Sequence, residues 1–144
     1  MKKQLEILLV EDDAIEFMKL ERIIKKLNLK HNIVQAENVI TAQEYLKRMS
    51  SELPNLILLD LNMPGISGIE FLSMLKKDDV LKCIPVVVLT TSDNVKDIND
   101  CLKIGVAGYF IKPLKYDDYF KKIESLLSYW SMNEFIKVNL QKLP

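Results

Sequence analysis

The chain has 144 residues, which at about 100–200 residues per domain suits one domain with a real core and excludes a second of ordinary size. Twenty basic and twenty acidic residues give a formal charge of +0, so the overall attraction that holds a chain on nucleic acid or an anionic membrane is missing. A hydrophobic content of 49% with 28% charged residues belongs to a folded globular domain and excludes a disordered or fibrous one.

The opening Met1-Lys2-Lys3-Gln4-Leu5-Glu6 is basic, but Glu6 interrupts the apolar run and Glu11-Asp12-Asp13 ends it, so no signal peptide is expected. No apolar stretch is long enough to span a bilayer. Cys83 and Cys101 are too far apart for a CxxC motif, and both are expected to pack as small hydrophobes in a reducing, cytoplasmic setting.

Residues 7–10 form the first predicted strand, followed by a helix striped with Phe17, Leu20, Ile24 and Leu27. His31, among polar residues, reads as surface; residues 33–35 form the second strand. Asn38 caps a helix carrying Val39, Ala42, Leu46 and Met49, and residues 56–59 form a third strand. Ile69, Leu72 and Leu75 mark the next helix, and residues 86–89 the fourth strand. Asp93 is placed to cap a helix along Val95, Ile98 and Leu102, which Gly105 stops. Residues 108–111 form the last strand, before a helix through Phe120, Ile123, Leu127 and Trp130. Strands alternating with helices over short connections predict a doubly wound parallel α/β sheet. Ligands in such sheets sit beyond the carboxyl ends of the strands.

The residues at those ends carry chemistry. Glu11, Asp12 and Asp13 follow the first strand, Asp60 and Asn62 the third, Thr90, Thr91 and Ser92 the fourth, and Lys112 and Pro113 the fifth. Carboxylates brought together unpaired repel one another, and a hard divalent cation such as Mg²⁺ removes the conflict. Asp60 beside such a cation is a candidate nucleophile for a phosphoryl group, with Lys112 and Thr90 placed to neutralise and bond its oxygens.

The runs Ile7-Leu8-Leu9-Val10-Glu11-Asp12-Asp13, Leu58-Leu59-Asp60-Leu61-Asn62-Met63-Pro64-Gly65, Val88-Leu89-Thr90-Thr91-Ser92 and Tyr109-Phe110-Ile111-Lys112-Pro113 resemble the receiver domains of two-component response regulators. The resemblance implies a flavodoxin-like fold, a five-stranded parallel sheet of order 2-1-3-4-5 with five helices, occupying residues 1–130. It implies that Asp60 accepts a phosphoryl group from a sensor histidine kinase or phosphotransfer protein, and that the protein is not an enzyme beyond phosphorylating and dephosphorylating itself. Glu11, Asp12, Asp60 and the backbone carbonyl of Asn62 would hold Mg²⁺ or Mn²⁺, with Glu11 standing where Asp is commoner. Thr90 and Tyr109 match the switch pair, and Lys112 would contact the phosphoryl group ahead of a cis Lys112-Pro113 bond. Asp13 would be a neighbour rather than a ligand.

Two other functions stay open on these residues. A phosphohydrolase of the haloacid-dehalogenase type needs a general acid two residues after its nucleophile, where Asn62 stands. A pseudo-receiver would keep the fold as a binding module without phosphorylation, against which Asp60, Thr90 and Lys112 argue. Residues 131–144 form a C-terminal extension too short for an effector domain. It either folds back on its own domain or contributes Trp130, Phe135 and Ile136 to a homodimer. The ending is similar to stand-alone regulators associated with bacterial phytochrome kinases, which favours the dimer. Output is expected through an unidentified downstream protein, with no nucleic-acid or membrane partner.

Overall fold

The computed structural model describes residues 3–49 and 52–137. Five strands, β1 (Glu6–Val10), β2 (Asn32–Ala36), β3 (Leu56–Leu59), β4 (Val86–Thr90) and β5 (Gly108–Ile111), alternate with α1 (Ala14–Lys26), α2 (Val39–Arg48), α3 (Gly68–Lys77), α4 (Val95–Ile104) and α5 (Tyr116–Ser131). All pairings are parallel, in the order β2-β1-β3-β4-β5, as expected of a doubly wound sheet.

The central strands are apolar at every position because helices cover both faces. Leu8, Val10, Ile57, Leu59, Val86 and Val88 pack against Ala42 and Leu46 of α2, Phe71, Leu72 and Leu75 of α3, and Cys101 of α4. Their alternates Ile7, Leu9, Leu56, Leu58, Val87 and Leu89 pack against Leu20, Ile23 and Ile24 of α1 and Tyr119, Ile123 and Leu127 of α5. Each such side chain, fully buried, contributes about 1.5–3 kcal/mol, so a one-residue slip of any central strand would exchange the two faces at once.

Helix ends follow local chemistry. Asp13, Asn38 and Ser67 cap α1, α2 and α3 by accepting backbone N–H bonds. The cap of α4 is Asn94 rather than Asp93: its side chain accepts from the N–H groups of Lys96 and Asp97. Gly105 ends α4 in the left-handed region at φ 115. The expected apolar stripe of α4 is also displaced. Val95 and Leu102 are 70% and 55% exposed, while Cys101 and Ile104 face the core, because only one flank of α4 meets the sheet. Cys83, too, is exposed rather than packed.

After α5 the chain turns back onto the strands' amino-terminal end. Phe135 packs against Trp130, with ring centroids 6.5 Å apart, and both join the α1/α5 core. Lys3 ties the turn down, through its N–H to Ser131 O at 2.8 Å and its Nζ to Glu134 at 2.6 Å. The fold-back reading of the extension therefore holds as far as Phe135, while Ile136 is 41% exposed. Val138, Leu140, Leu143 and Pro144 lie outside the described residues. Among the described residues no helix is long and apolar enough to cross a membrane.

His31 is not a surface residue. It is half-buried, its Nδ1 accepts the Leu5 N–H at 2.9 Å, and its Nε2 is buried without a partner. Burial lowers its pKa. The unfolded chain thus takes up the proton first as pH falls, so the neutral ring stabilises the fold fully above about 6.5 and progressively less below. Thermal midpoints followed by circular dichroism from pH 8 to 5.5 should drop more steeply in the wild type than in His31→Asn; parallel curves would refute this role.

Candidate functional site

The carboxyl ends of β1, β3 and β5 are locked one residue beyond the sheet. Glu11 N–H donates to Ala36 O at 3.0 Å, Asp60 N–H to Val10 O at 3.0 Å and Lys112 N–H to Thr90 O at 2.7 Å. The Gln35 amide donates to the Glu11 carbonyl at 2.8 Å. These bonds fix the backbone carrying the functional side chains.

Glu11, Asp12 and Asp60 converge, with one carboxylate oxygen from each lying within 4.8 Å of the others. Glu11 and Asp60 are 2% and 6% exposed, while Asp12 reaches solvent. Lys112 Nζ donates to Glu11 Oε1 at 2.7 Å in a pair that is nearly closed to water. Burial pushes the Glu11 carboxyl up to about 7, against the opposing pull of Lys112. Burial also pulls the Lys112 ammonium down, but Glu11, then Asp60 and Glu16, more than offset it and leave it above its ordinary value. Three carboxylates around one ammonium leave the crevice negative. Two of them buried without a full complement of donors is the environment a hard cation with oxygen ligands fits.

Thr90 is fully buried. Its Oγ accepts from the Ser92 N–H at 3.3 Å and the Asn62 amide at 3.5 Å. The same amide reaches Thr91 Oγ at 3.4 Å, so the Asn62 side chain bridges to the loop after β4. Tyr109 packs against the α2/α3/α4 core and its hydroxyl donates to Ser92 O at 2.9 Å. Ser92 Oγ in turn donates to Asp97 of α4 at 2.7 Å.

Gly68 lets α3 close against the loop after Asp60, since a Cβ there would stand 2.6 Å from the Asp60 carbonyl oxygen. Gly65, at φ 86, makes the preceding turn. One expectation fails: among the described residues every peptide bond is trans, Lys112-Pro113 included. The trans form is favoured by about 0.5–1 kcal/mol, and the lysine reaches Glu11 without the other isomer.

The structure therefore brings together Glu11, Asp12, Asp60 and Lys112, and links Asn62 and Tyr109 to Thr90 and Ser92 at the end of β4. It leaves Trp130, Phe135 and Ile136 outside, the last two beside Pro54, Asn55, Ile84 and Pro85 at the opposite end of the sheet. Sequence reasoning missed Glu16, whose Oε2 lies 3.6 Å from Lys112 Nζ; a first-turn acid reads as a helix-dipole partner and nothing more. It missed Asp97 as the anchor of Ser92 for the same reason.

The profile of the response regulator receiver domain family matches residues 7–124. Response regulator Rcp1 of Synechocystis sp. is 36% identical over 128 residues, covering 86% of this chain and 87% of that protein. The phosphorylated cyanobacterial phytochrome response regulator RcpA superposes with a TM-score of 0.84 at 31% identity, covering 92% of this chain and 98% of that one. The Mn²⁺-bound form of Rcp1 gives a TM-score of 0.83 at 33% identity, covering 93% and 99%.

A proton on Glu11 competes with a bound cation, so divalent-cation affinity should fall as pH drops through about 7 and level off above it. Asp12→Asn should weaken binding roughly tenfold or more without lowering the thermal midpoint, since it removes an exposed charge from a repelling cluster. Calorimetric titration at pH 6, 7 and 8 checks both; a pH-independent affinity in the wild type, or an unchanged one in the variant, would sink the assignment.

Proposed function

Because the chain belongs to the response regulator receiver family, we propose that Asp60 is its phosphoacceptor and that a phosphorylation-dependent surface carries the signal onward. Proteins of this family are signalling proteins. The observation that carries the reading is the convergence of a buried aspartate with two further carboxylates, a buried ammonium and a buried hydroxyl at the carboxyl ends of four strands.

An Asp60 carboxylate oxygen attacks phosphorus in line. The new P–O bond gives an acyl phosphate as the P–N bond of a donor phosphohistidine breaks, and the leaving imidazole takes up a proton. Glu11, Asp12, Asp60 and the Asn62 carbonyl would hold Mg²⁺ or Mn²⁺, which neutralises charge developing on the phosphoryl oxygens. Lys112 turns a donor from Glu11 to a phosphoryl oxygen. The Thr90 Oγ accepts its bonds from Ser92 and Asn62, so its own proton is free for a second. Charge-assisted hydrogen bonds contribute about 1.5–3 kcal/mol each. The Lys112 bond replaces the one it gave to Glu11, so only the Thr90 bond is a net gain toward the roughly 5.5 kcal/mol that moves a two-state equilibrium from 1:99 to 99:1.

Movement of Thr90 pulls the loop that holds Tyr109 and Asp97 through Ser92, and with it the exposed apolar flank of α4 at Val95 and Leu102. That makes Thr90 and Tyr109 the switch pair. The phosphodonor is a sensor histidine kinase or phosphotransfer protein, and the output a downstream protein in the cytoplasm. The Asn62 side chain, an amide bonded to Thr90 and Thr91, supplies no general acid, which supports a receiver over a haloacid-dehalogenase-type hydrolase.

The receiver occupies residues 1–130, which the match over 7–124 supports, with 131–144 as an extension. Homodimerisation is a second proposal for that extension. Trp130 and Phe135 are turned onto their own domain, so the contact rests on Ile136 with Tyr129 and Met132, exposed at 41%, 58% and 60%.

With Mg²⁺ and a small phosphodonor, the wild type should gain the mass of one phosphoryl group and Asp60→Asn none. No gain in the wild type favours the pseudo-receiver, and sustained turnover of phosphate esters the hydrolase. Light scattering should give a dimer mass for the wild type and a monomer mass for Ile136→Glu; a monomeric wild type at high micromolar concentration ends the dimer proposal.

A further inference from the structure

Glu16, in the first turn of α1, has a side chain only 19% exposed. Its Oε1 lies 3.4 Å from Lys19 Nζ, and its Oε2 lies 3.6 Å from Lys112 Nζ. That second oxygen is closed to solvent and has no hydrogen-bond partner. From α5, the Tyr119 hydroxyl is likewise buried and unpartnered, in a ring that packs under Lys19 Nζ at 4.8 Å. Burial, and after it the Glu16 charge, raise the Tyr119 pKa, so the phenol stays neutral beside the Glu16 carboxylate. Lys112 is the ammonium that faces Glu16 Oε2, while Lys19 is paired with Oε1.

An ammonium has three N–H donors, and Lys112 directs one at Glu11 at 2.7 Å. Phosphoryl acceptance asks Glu11 to turn its charge to a divalent cation and Lys112 to turn a donor to the phosphoryl group. A lysine released from its single close acceptor regains its rotamers and must be ordered again at the moment of transfer. Glu16 Oε2 removes that requirement. Closing the separation from 3.6 Å to the about 2.8 Å of a charge-assisted hydrogen bond gives the ammonium a fixed second anchor, on a helix whose start Asp13 already caps.

We propose that Glu16 is a positioning residue: it is the second acceptor for Lys112 and keeps the ammonium aimed at the Asp60 site once Glu11 is engaged by a divalent cation. Glu16 touches neither the phosphoryl group nor the cation and acts through Lys112 alone. The proposal rests on Asp60 as phosphoacceptor, and its test has one arm that does not.

Glu16→Gln keeps the size and helical position of the side chain and removes its charge. In the Mg²⁺-loaded full-length protein, nitrogen-15 NMR should find the Lys112 ammonium protected from solvent exchange in the wild type and unprotected in the variant, with thermal midpoint and Mg²⁺ affinity nearly unchanged. With a small phosphodonor, the maximal rate of phosphorylation should fall roughly tenfold at unaltered half-saturation, Glu16→Asp should recover part of it, and Glu16→Gln should add nothing in a Lys112→Ala background. Equal ammonium protection in both proteins overturns the proposal, as does a wild-type rate in Glu16→Gln or an equal slowing with Lys112 absent. If the wild type accepts no phosphoryl group, the phosphoacceptor reading fails and the ammonium measurement alone decides the role of Glu16.

Discussion

Glu11 and Asp60 are buried together at the point where the strand order reverses from β1 to β3, and Lys112 is the ammonium set against them. Two carboxylates in a low-dielectric crevice cannot both hold charge without a cation close by. One lysine settles half of that conflict. What remains is a site under electrostatic tension whose resting state keeps a proton on Glu11 more readily than an exposed carboxyl does. The architecture supports that tension: the sheet ladder extends one residue past each of β1, β3 and β5 to hold Glu11, Asp60 and Lys112. Gly68 packs α3 against the backbone that carries Asp60. Removing one partner from a buried ion pair costs more than the pair itself contributes, so Lys112 is part of the fold and of the chemistry alike.

The positions that belong to strand ends were legible in the sequence because their direction is set by backbone pattern. Once β1, β3, β4 and β5 are placed by their apolar runs, Glu11, Asp60, Thr90 and Lys112 have only one place to go. Residues acting from helices were less legible. Glu16 and Asp97 each look like an acid complementing a helix dipole, and only the approach of Lys112, past the end of β5, to Glu16, and of Ser92, in the loop after β4, to Asp97 gives them partners. The stripe of α4 misled because Val95, Ile98 and Leu102 have good helical spacing while the sheet meets the flank bearing Cys101 and Ile104. His31 misled because its neighbours Lys30 and Asn32 are polar, whereas its ring turns in beneath Leu5.

That displaced stripe has a functional reading. Val95 and Leu102 form an exposed apolar flank, and each would contribute about 1.5–3 kcal/mol if covered. α4 is joined to the site by a short chain of contacts: Thr90 to Ser92, Ser92 to Asp97, and Tyr109 to the Ser92 carbonyl. α4 fully buries only Cys101 and is bonded to the loop after β4 through Asp97.

The extension stands in a different relation to the site. Phe135 and Ile136 lie at the amino-terminal end of the strands, and the chemistry lies at the carboxyl end. α5 spans the distance: its 16 residues reach about 24 Å at 1.5 Å per residue, with Tyr119 near Glu16 at one end and Trp130 beside Phe135 at the other. Tyr119, Ile123 and Leu127 seat the helix on the same core as α1. The unpartnered oxygens of Glu16 and Tyr119 mark where the α1/α5 contact leaves hydrogen-bonding capacity unmet.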